Sequence, residues 1–292
     1  MPVSQSVRKR IQSLREEYAF LKAGKESLLT LIDDAETPEN IYNSNAIENS
    51  TLTLKETEKI LLKMEISRNV SVREIFEAKN LARVIAYKRE KAATTPLTGE
   101  LILFLHNMLM SGIDDSIAGR FRQKGEFVKV GFHIAPGPEH VEQMINEILI
   151  FHSNDMEGYF LDKIAKFHLD FETIHPFCDG NGRIGRVIIN FQLLALGFPR
   201  VIIRNNEKQI YYRAFDEYRE KEKTKGMEKV MSLALLESLH KRTTYLRGEK
   251  IIRLSDYIKA HKLSASSFTN AARRQTIPAF REKGVWKIGE EQ

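Results

Sequence analysis

The chain has 292 residues, 42% hydrophobic and 29% charged, enough for one large domain or a core with small appendages and too ordinary a composition for disorder. Its longest apolar run, 187–198, is interrupted by Asn190 and Gln192, and its basic N-terminus lacks an apolar leader, which argues against a membrane span or secretory signal and makes cytoplasmic residence the expectation. The net charge of +6 sits at the end: from Lys241 onward 12 Lys/Arg face 5 Asp/Glu, so the first 240 residues sum to about −1. Apolar residues recur at helical spacing through most of the chain, which predicts a mainly α fold. Thr53 and Glu56 have capping-box spacing and open a helix bearing Leu54, Ile60, Leu61 and Leu62. Further helices are expected over 72–91, 99–110, 139–152, 160–174, 183–195, 207–219 and 227–245. The interval 121–138 differs. Gly125, Gly131, Pro136, Gly137 and Pro138 surround the alternating Glu126-Phe127-Val128-Lys129-Val130, a small β-hairpin that is either a connector or an edge for pairing with an extended peptide.

Between two of these helices lies His175-Pro176-Phe177-Cys178-Asp179-Gly180-Asn181-Gly182-Arg183-Ile184-Gly185-Arg186, whose residue types suit a phosphate site. Gly180, Asn181 and Gly182 accept the backbone conformations that turn successive N–H groups toward one anion. The helix that follows adds its positive end, and Arg183 and Arg186, three apart, share a face from which guanidinium groups can hold phosphate oxygens. Asp179 is a hard oxygen ligand suited to magnesium, and His175 has the unperturbed pKa of a general base near neutrality. Each piece alone is ordinary turn or helix-cap chemistry; twelve residues holding all of them point to transfer of a phosphate-containing group. Cys178, the only cysteine, excludes a disulfide framework and is read as incidental rather than nucleophilic.

This segment matches every defined position of HxFx[D/E]GNGRxxR, and the chain resembles the Fic domain proteins. The resemblance implies a compact helical Fic core over about 75–220 that transfers AMP from ATP, with Mg2+, to Ser, Thr or Tyr hydroxyls of a target protein, and it extends to self-modification. It assigns His175 as the base, Asp179 as the metal ligand, and Gly180, Asn181, Gly182, Arg183, Gly185 and Arg186 as ATP-binding, with Arg186 on the γ-phosphate and Phe177 an inward anchor. Gly119-Arg120-Phe121-Arg122 and the stretch from Glu126 to Val130 resemble the target-docking flap. Tyr211 and Tyr212 look like tyrosines bordering the base, with Asn190 a weaker candidate and a plain core stripe the alternative.

Ser44-Asn45-Ala46-Ile47-Glu48-Asn49 is similar to the family's inhibitory signature [S/T]xxxE[G/N]; read alone, Ser44 caps a helix. With the core behind it, Glu48 is expected to pair with Arg186 where the γ-phosphate belongs, and the same glutamate can orient water for the reverse reaction, removal of AMP. After an N-terminal region (1–74), the core and a connecting helix (221–248), residues 249–292 resemble a winged-helix-like module: Leu254 to Ile258, a turn near Lys262, a helix bearing Arg273 and Arg274, and a glycine-turn hairpin. DNA binding is one reading of that tail; a cap on the core or a homodimer interface is the other. The expected function is an auto-inhibited protein adenylyltransferase. A DNA-binding regulator with a nucleotide-sensing core is the alternative, and UMP or phosphocholine are other donor groups.

Overall fold

The computed structural model describes residues 4–63, 70–92 and 94–290. Ser4 caps α1 (Gln5–Leu21) by accepting from the Val7 N–H, and α2 (Glu26–Ile47) follows. Periodicity hides α2 because its C-terminal half is buried on nearly every face, with Glu36, Glu39, Asn43, Ser44 and Asn45 inside as well as Ile41 and Ile47. The predicted capping box starts α3 (Leu54–Glu58): Thr53 Oγ1 accepts from Glu56 N at 3.2 Å and the Glu56 carboxylate accepts from Thr53 N at 2.8 Å. A π-helical turn, Lys59–Lys63, continues it.

Next come α4 (Val72–Lys91) and α5 (Gly99–Met110), both on their predicted spans, and the hairpin of β1 (Lys129–Val130) and β2 (His133–Ile134). Then α6 (Val141–Asn154), α7 (Phe160–Ile174), α8 (Asn181–Ala195), α9 (Lys208–Lys221) and α10 (Lys225–Arg247) follow in order. The helix α8 begins two residues earlier than periodicity suggests, because Gly180 at φ 83° serves as its N-cap. Among the described residues no helix is long and apolar enough to cross a membrane.

Two hydrophobic cores fix the site. One gathers Leu81, Ile85, Leu105 and Leu109 of α4 and α5 against Phe167, Phe171, Ile174, Ile184 and Phe191. The other gathers Ile11, Tyr211, Phe215, Leu235 and Leu239 against Leu161, Ile164, Leu169, Ile189 and Leu193. Helices α7 and α8 contribute to both, so they are apolar on two faces and their connecting loop is clamped from either side. Each fully buried Leu, Ile or Phe contributes roughly 1.5–3 kcal/mol, so both ends of this loop are anchored by packed helices.

The tail forms β3 (Lys250–Arg253), α11 (Leu254–Ala260), α12 (Ala265–Arg273), β4 (Ala279–Glu282) and β5 (Val285–Glu290), with β5 central in an antiparallel sheet ordered β3-β5-β4. It has its own small core of Leu254, Ile258, Ala272, Ala279 and Ile288. It also docks on the body of the protein: Arg281 bonds to Glu237 and Glu207, the N–H groups of Lys283 and Gly284 donate to Glu39, and His240 bonds to Gln275. Part of the basic surplus after Lys241 is therefore neutralised by the body of the protein, through Lys241 and Arg242 to Glu36, Arg281 to Glu237 and Lys283 to Glu58, while Lys287 pairs with Glu282 inside the tail. Arg273 and Arg274 remain exposed.

Candidate functional site

The α7–α8 loop starts from a strained residue. His175 ends α7 in the left-handed region, φ 50° and ψ 62°, where its N–H still reaches Phe171 O at 2.9 Å. A non-glycine residue in that region persists only where its surroundings over-determine it. Arg122, buried, supplies that constraint: its guanidinium donates to the carbonyls of His175 (2.8 Å), Ile174 (3.3 Å), Pro136 (2.8 Å) and Glu126 (3.0 Å), and its N–H donates to Pro176 O at 2.9 Å. Burial pushes the His175 imidazole down to about 4, with Arg219 and Arg122 adding to the effect and the Glu172 carbonyl opposing it. At neutral pH His175 is therefore an uncharged base.

Phe177 is fully buried and its ring stacks on His106 at 3.7 Å and 3°. His106 Nδ1 accepts from Gly119 N at 3.1 Å, so its proton lies on Nε2, which donates to Asp179 O at 3.0 Å. The Asn181 side chain closes the loop from within, accepting from Phe177 N and donating to Phe177 O, both at 2.8 Å. The structure uses that side chain as a brace, and the backbone N–H of Asn181, which sequence reasoning also offers to an anion, is left to face one.

Gly180 at φ 83° and Gly182 at the first turn of α8 form the expected concavity at a helix N-terminus. A carboxylate already sits over it. A Cβ on Gly182 would collide with Glu48, whose Oε1 accepts from Arg186 Nη2 at 2.8 Å. Arg186 is held further by Ser44 through its hydroxyl (2.9 Å) and carbonyl (2.8 Å), and the Glu48 charge lifts its already high pKa against the cost of burial. Ser44 is thus not a helix cap: it lies inside α2, buried, with its hydroxyl on Arg186. Asn49 at φ 67° takes the left-handed position that stops α2, which explains why Gly or Asn suits that place, and its Oδ1 accepts from Lys208 at 3.3 Å.

The two arginines part company. Arg186 reaches α2, whereas buried Arg183 reaches α4, pairing with Glu77 at 3.1 Å and with Asp179 at 3.0 Å. Asp179 also binds Arg73, and despite partial burial Arg183 and Arg73 hold its carboxyl below the usual range. Gly185 stands apart from the cradle, since a Cβ there would meet Glu172 Oε1 at 2.5 Å and the His168 ring at 2.7 Å; its role is close contact between α8 and α7. Tyr211 is also a core residue, with its hydroxyl 2.6 Å from His168 Nε2. Tyr212 is partly exposed and donates to Ile47 O at 2.8 Å beside Glu48. Asn190 braces the segment after α8 through Val201, donating to its O at 3.1 Å and accepting from its N at 2.7 Å.

At the hairpin, Lys129 and Val130 pair with Ile134 and His133, and Val128 O accepts from Ala135 N at 3.0 Å. Phe127, Phe132 and Ile134 are exposed beside it. Glu126 does not belong to that edge: it is the hinge pin, taking both guanidinium nitrogens of Arg120 at 2.7 Å and Gln123 N at 2.6 Å. Burial and the same Glu126 carboxylate push the Cys178 thiol up, which keeps it protonated and suits its incidental reading. Sequence reasoning missed Arg73, Glu77, His106, His168 and Glu172. Only their positions on the helical faces that flank the loop connect them to it, and that information is tertiary. Glu172 is strongly perturbed, its carboxyl pushed up to about 8 by burial and by the Glu48 charge, with Arg186 and Arg219 opposing.

Residues 96–193 match the model of the Fic/DOC family. The chain is 31% identical over 216 residues to the protein adenylyltransferase Fic of Nematostella vectensis, covering 72% of this chain and 49% of that protein. It therefore spans about half the length of that curated relative. Among solved structures, a Fic domain containing signaling protein from Bacteroides thetaiotaomicron superposes with a TM-score of 0.75 at 24% identity, covering 82% of this chain and 98% of that one. A Fic family protein from Desulfovibrio desulfuricans covers all of this chain and 98% of its own, with a TM-score of 0.66 at 22% identity.

Proposed function

From the Fic/DOC domain that the chain carries, we propose that the protein is an adenylyltransferase that moves AMP from ATP onto a hydroxyl side chain of a target protein and is held off by its own Glu48. One observation carries the reading: an uncharged, buried histidine base lies on the same rigid loop as a helix N-terminal anion cradle, and a carboxylate from the same chain sits over that cradle. Relatives named protein adenylyltransferase Fic support the activity.

In this mechanism the neutral His175 imidazole takes the proton of the target hydroxyl. The hydroxyl oxygen bonds to the α-phosphorus while the bond to the bridging oxygen breaks, and pyrophosphate leaves with its electron pair. The backbone N–H groups of the first turn of α8 and Arg186 stabilise the charge on the phosphates. The exposed edge at Lys129 and Val130 holds the target segment by main-chain hydrogen bonds, with Phe127 beside it. Magnesium fits the donor set: it binds through one or two carboxylates and otherwise through substrate phosphates, and Asp179 is the available carboxylate, once Arg73 and Arg183 yield it. Bound there, the ion would offset negative charge on the phosphates.

Glu48 opposes all of this by occupying Arg186 and the cradle. The test is transfer of label from α-labelled and γ-labelled ATP to protein by the parent chain, Glu48→Gly and Glu48→Gly/His175→Ala. We expect α-label on protein with Glu48→Gly, little with the parent and none with the double variant. Equal labelling by parent and Glu48→Gly removes the inhibitory role, and no α-label in any variant removes the transferase reading.

A further inference from the structure

Behind the cradle, on the side of α8 away from α2, lies a line of buried polar groups that the proposed mechanism does not use. Tyr211 and His168 are each about 1% exposed and Glu172 is 6% exposed; His168 and Glu172 crowd Gly185, and Tyr211 lies near Arg186. The Tyr211 hydroxyl is 2.6 Å from His168 Nε2 and near enough to Arg186 to affect its ionisation, and Arg186 Nη1 is itself buried without a formed hydrogen bond. His168 Nδ1 and Glu172 Oε1, both buried and neither in a formed hydrogen bond, converge on the space that the missing Cβ of Gly185 leaves open, 2.9 and 2.5 Å from that point.

The proton inventory of these groups fixes a direction. Arginine donates only, so toward Arg186 the tyrosine oxygen must accept. Its single proton then points to His168 Nε2, which makes Nε2 the acceptor and leaves the ring proton on Nδ1. That proton needs an acceptor inside the protein, and the orphaned Glu172 Oε1 faces it, accepting as the carbonyl oxygen of a carboxyl that burial keeps protonated at pH 7 and whose own proton the relay places on Oε2. We propose that Glu172, His168 and Tyr211 form a buried hydrogen-bond relay that aims Arg186 from behind, so that the arginine keeps its orientation when Ser44 and Glu48 no longer hold it. Gly185 is required because any side chain would enter the relay. The consequence for nucleotide, which rests on the adenylyltransferase reading above, is that Tyr211 and His168 are positioning residues for recognition of the terminal phosphate of ATP.

Two readouts test it. The first involves no nucleotide: in protein labelled with 15N at histidine, His168 should be a neutral ring protonated at Nδ1 at pH 7, and Tyr211→Phe should disturb that preference. A ring protonated at Nε2 overturns the relay, whatever the activity. The second measures ATP and ADP binding in the Glu48→Gly background. Tyr211→Phe should weaken ATP about 10-fold, as expected for one hydrogen bond to a charged group, and ADP by less than about 2-fold. His168→Gln, which keeps an acceptor for the tyrosine, should preserve most of the ATP preference that His168→Leu loses. Equal losses for ATP and ADP, accompanied by a lower melting temperature, would mark the groups as structural only and overturn the proposal. Should Glu48→Gly itself bind ATP no better than ADP, the assignment of Arg186 to the terminal phosphate fails along with the phosphate half of the proposal. A wrong tautomer with ATP preference intact sinks the relay alone.

Discussion

Replacing Glu48 by Gln keeps the shape of the side chain and an oxygen for Arg186 while removing the charge. The magnitude follows from the two partners' surroundings. Arg186 is 7% exposed and Glu48 is 37% exposed, with one 2.8 Å contact between them. Breaking a fully buried pair costs about 3–5 kcal/mol and an exposed one about 0–1 kcal/mol, so a half-screened pair such as this one falls at about 1–3 kcal/mol. Two consequences of opposite sign follow. Without nucleotide the native state loses the charge–charge attraction and keeps only a neutral-acceptor hydrogen bond to Arg186, so the melting temperature should fall, at about 2–4 °C per kcal/mol for a chain of this size. With nucleotide the terminal phosphate no longer has to displace an anion, and ATP affinity should rise by roughly 5- to 150-fold, the same coupling energy read from the other side. Calorimetric titration with ATP and a thermal melt on the same preparations measure both. A variant that melts higher and binds ATP better would mean that Glu48 is merely repelled at the site rather than bound there. A variant that moves neither quantity would refute the reasoning from the Arg186 contact altogether.

The imidazole of His175, lowered to about 4, stays neutral across the physiological range, so the acid limb of kcat/KM for a Glu48→Gly enzyme should lie near pH 4–5 rather than at 6.5; a limb at 6–7 would contradict the burial argument. The Glu172 carboxyl, raised to about 8 partly by the Glu48 charge, should titrate at lower pH in Glu48→Gln, because a repelling negative charge is gone; 13C-detected titration of the side chain reads the shift, and an upward move would be the wrong sign. Arg281→Ala leaves Glu237 and Glu207 without that partner and removes the guanidinium 4.7 Å over Trp286, so denaturant unfolding should show a loss of about 3–5 kcal/mol, whereas a loss below about 1 kcal/mol would mean that the tail docks weakly.

What the sequence reveals depends on whether a residue's role is local. The elements α4, α5 and α7 match their predicted spans because each keeps one polar face, and Thr53 and Glu56 cap a helix as their spacing says, because a capping box involves only four residues. The twelve-residue segment is legible for the same reason: histidine, glycine turn and helix end are contiguous. Long-range partners are not legible. Arg122 meets His175 across 53 positions and Arg186 meets Ser44 across 142, and neither pairing leaves a trace in local pattern. Asn181, Tyr211 and Asn190 show the converse case, in which a polar side chain that looks available in sequence is bonded to a neighbour in space. A resemblance can point to Glu48 and Arg186 as partners. Only the fold shows that a second carboxyl, Glu172, lies near the same arginine.

The way α2 is held bears on how the proposed inhibition by Glu48 would be relieved. Glu36 pairs with Lys241 and Arg242 of α10, Arg242 also binds Asp33, and Glu39 binds Arg204 and accepts from the N–H groups of Lys283 and Gly284 in the tail. These contacts are buried, and truncating one partner of such a pair costs about 3–5 kcal/mol. Lifting the whole helix off the body would disrupt several at once. Glu48 lies beyond them, at the C-cap, partly exposed and followed by a left-handed Asn49. Its carboxylate can leave Arg186 by rotation of its own side chain, at the cost of one half-screened ion pair. The inexpensive route to an open cradle is therefore local: a phosphate of sufficient charge, or a loss of order confined to the last turn of α2, with Ser44 still on Arg186 and the remainder of the helix in place.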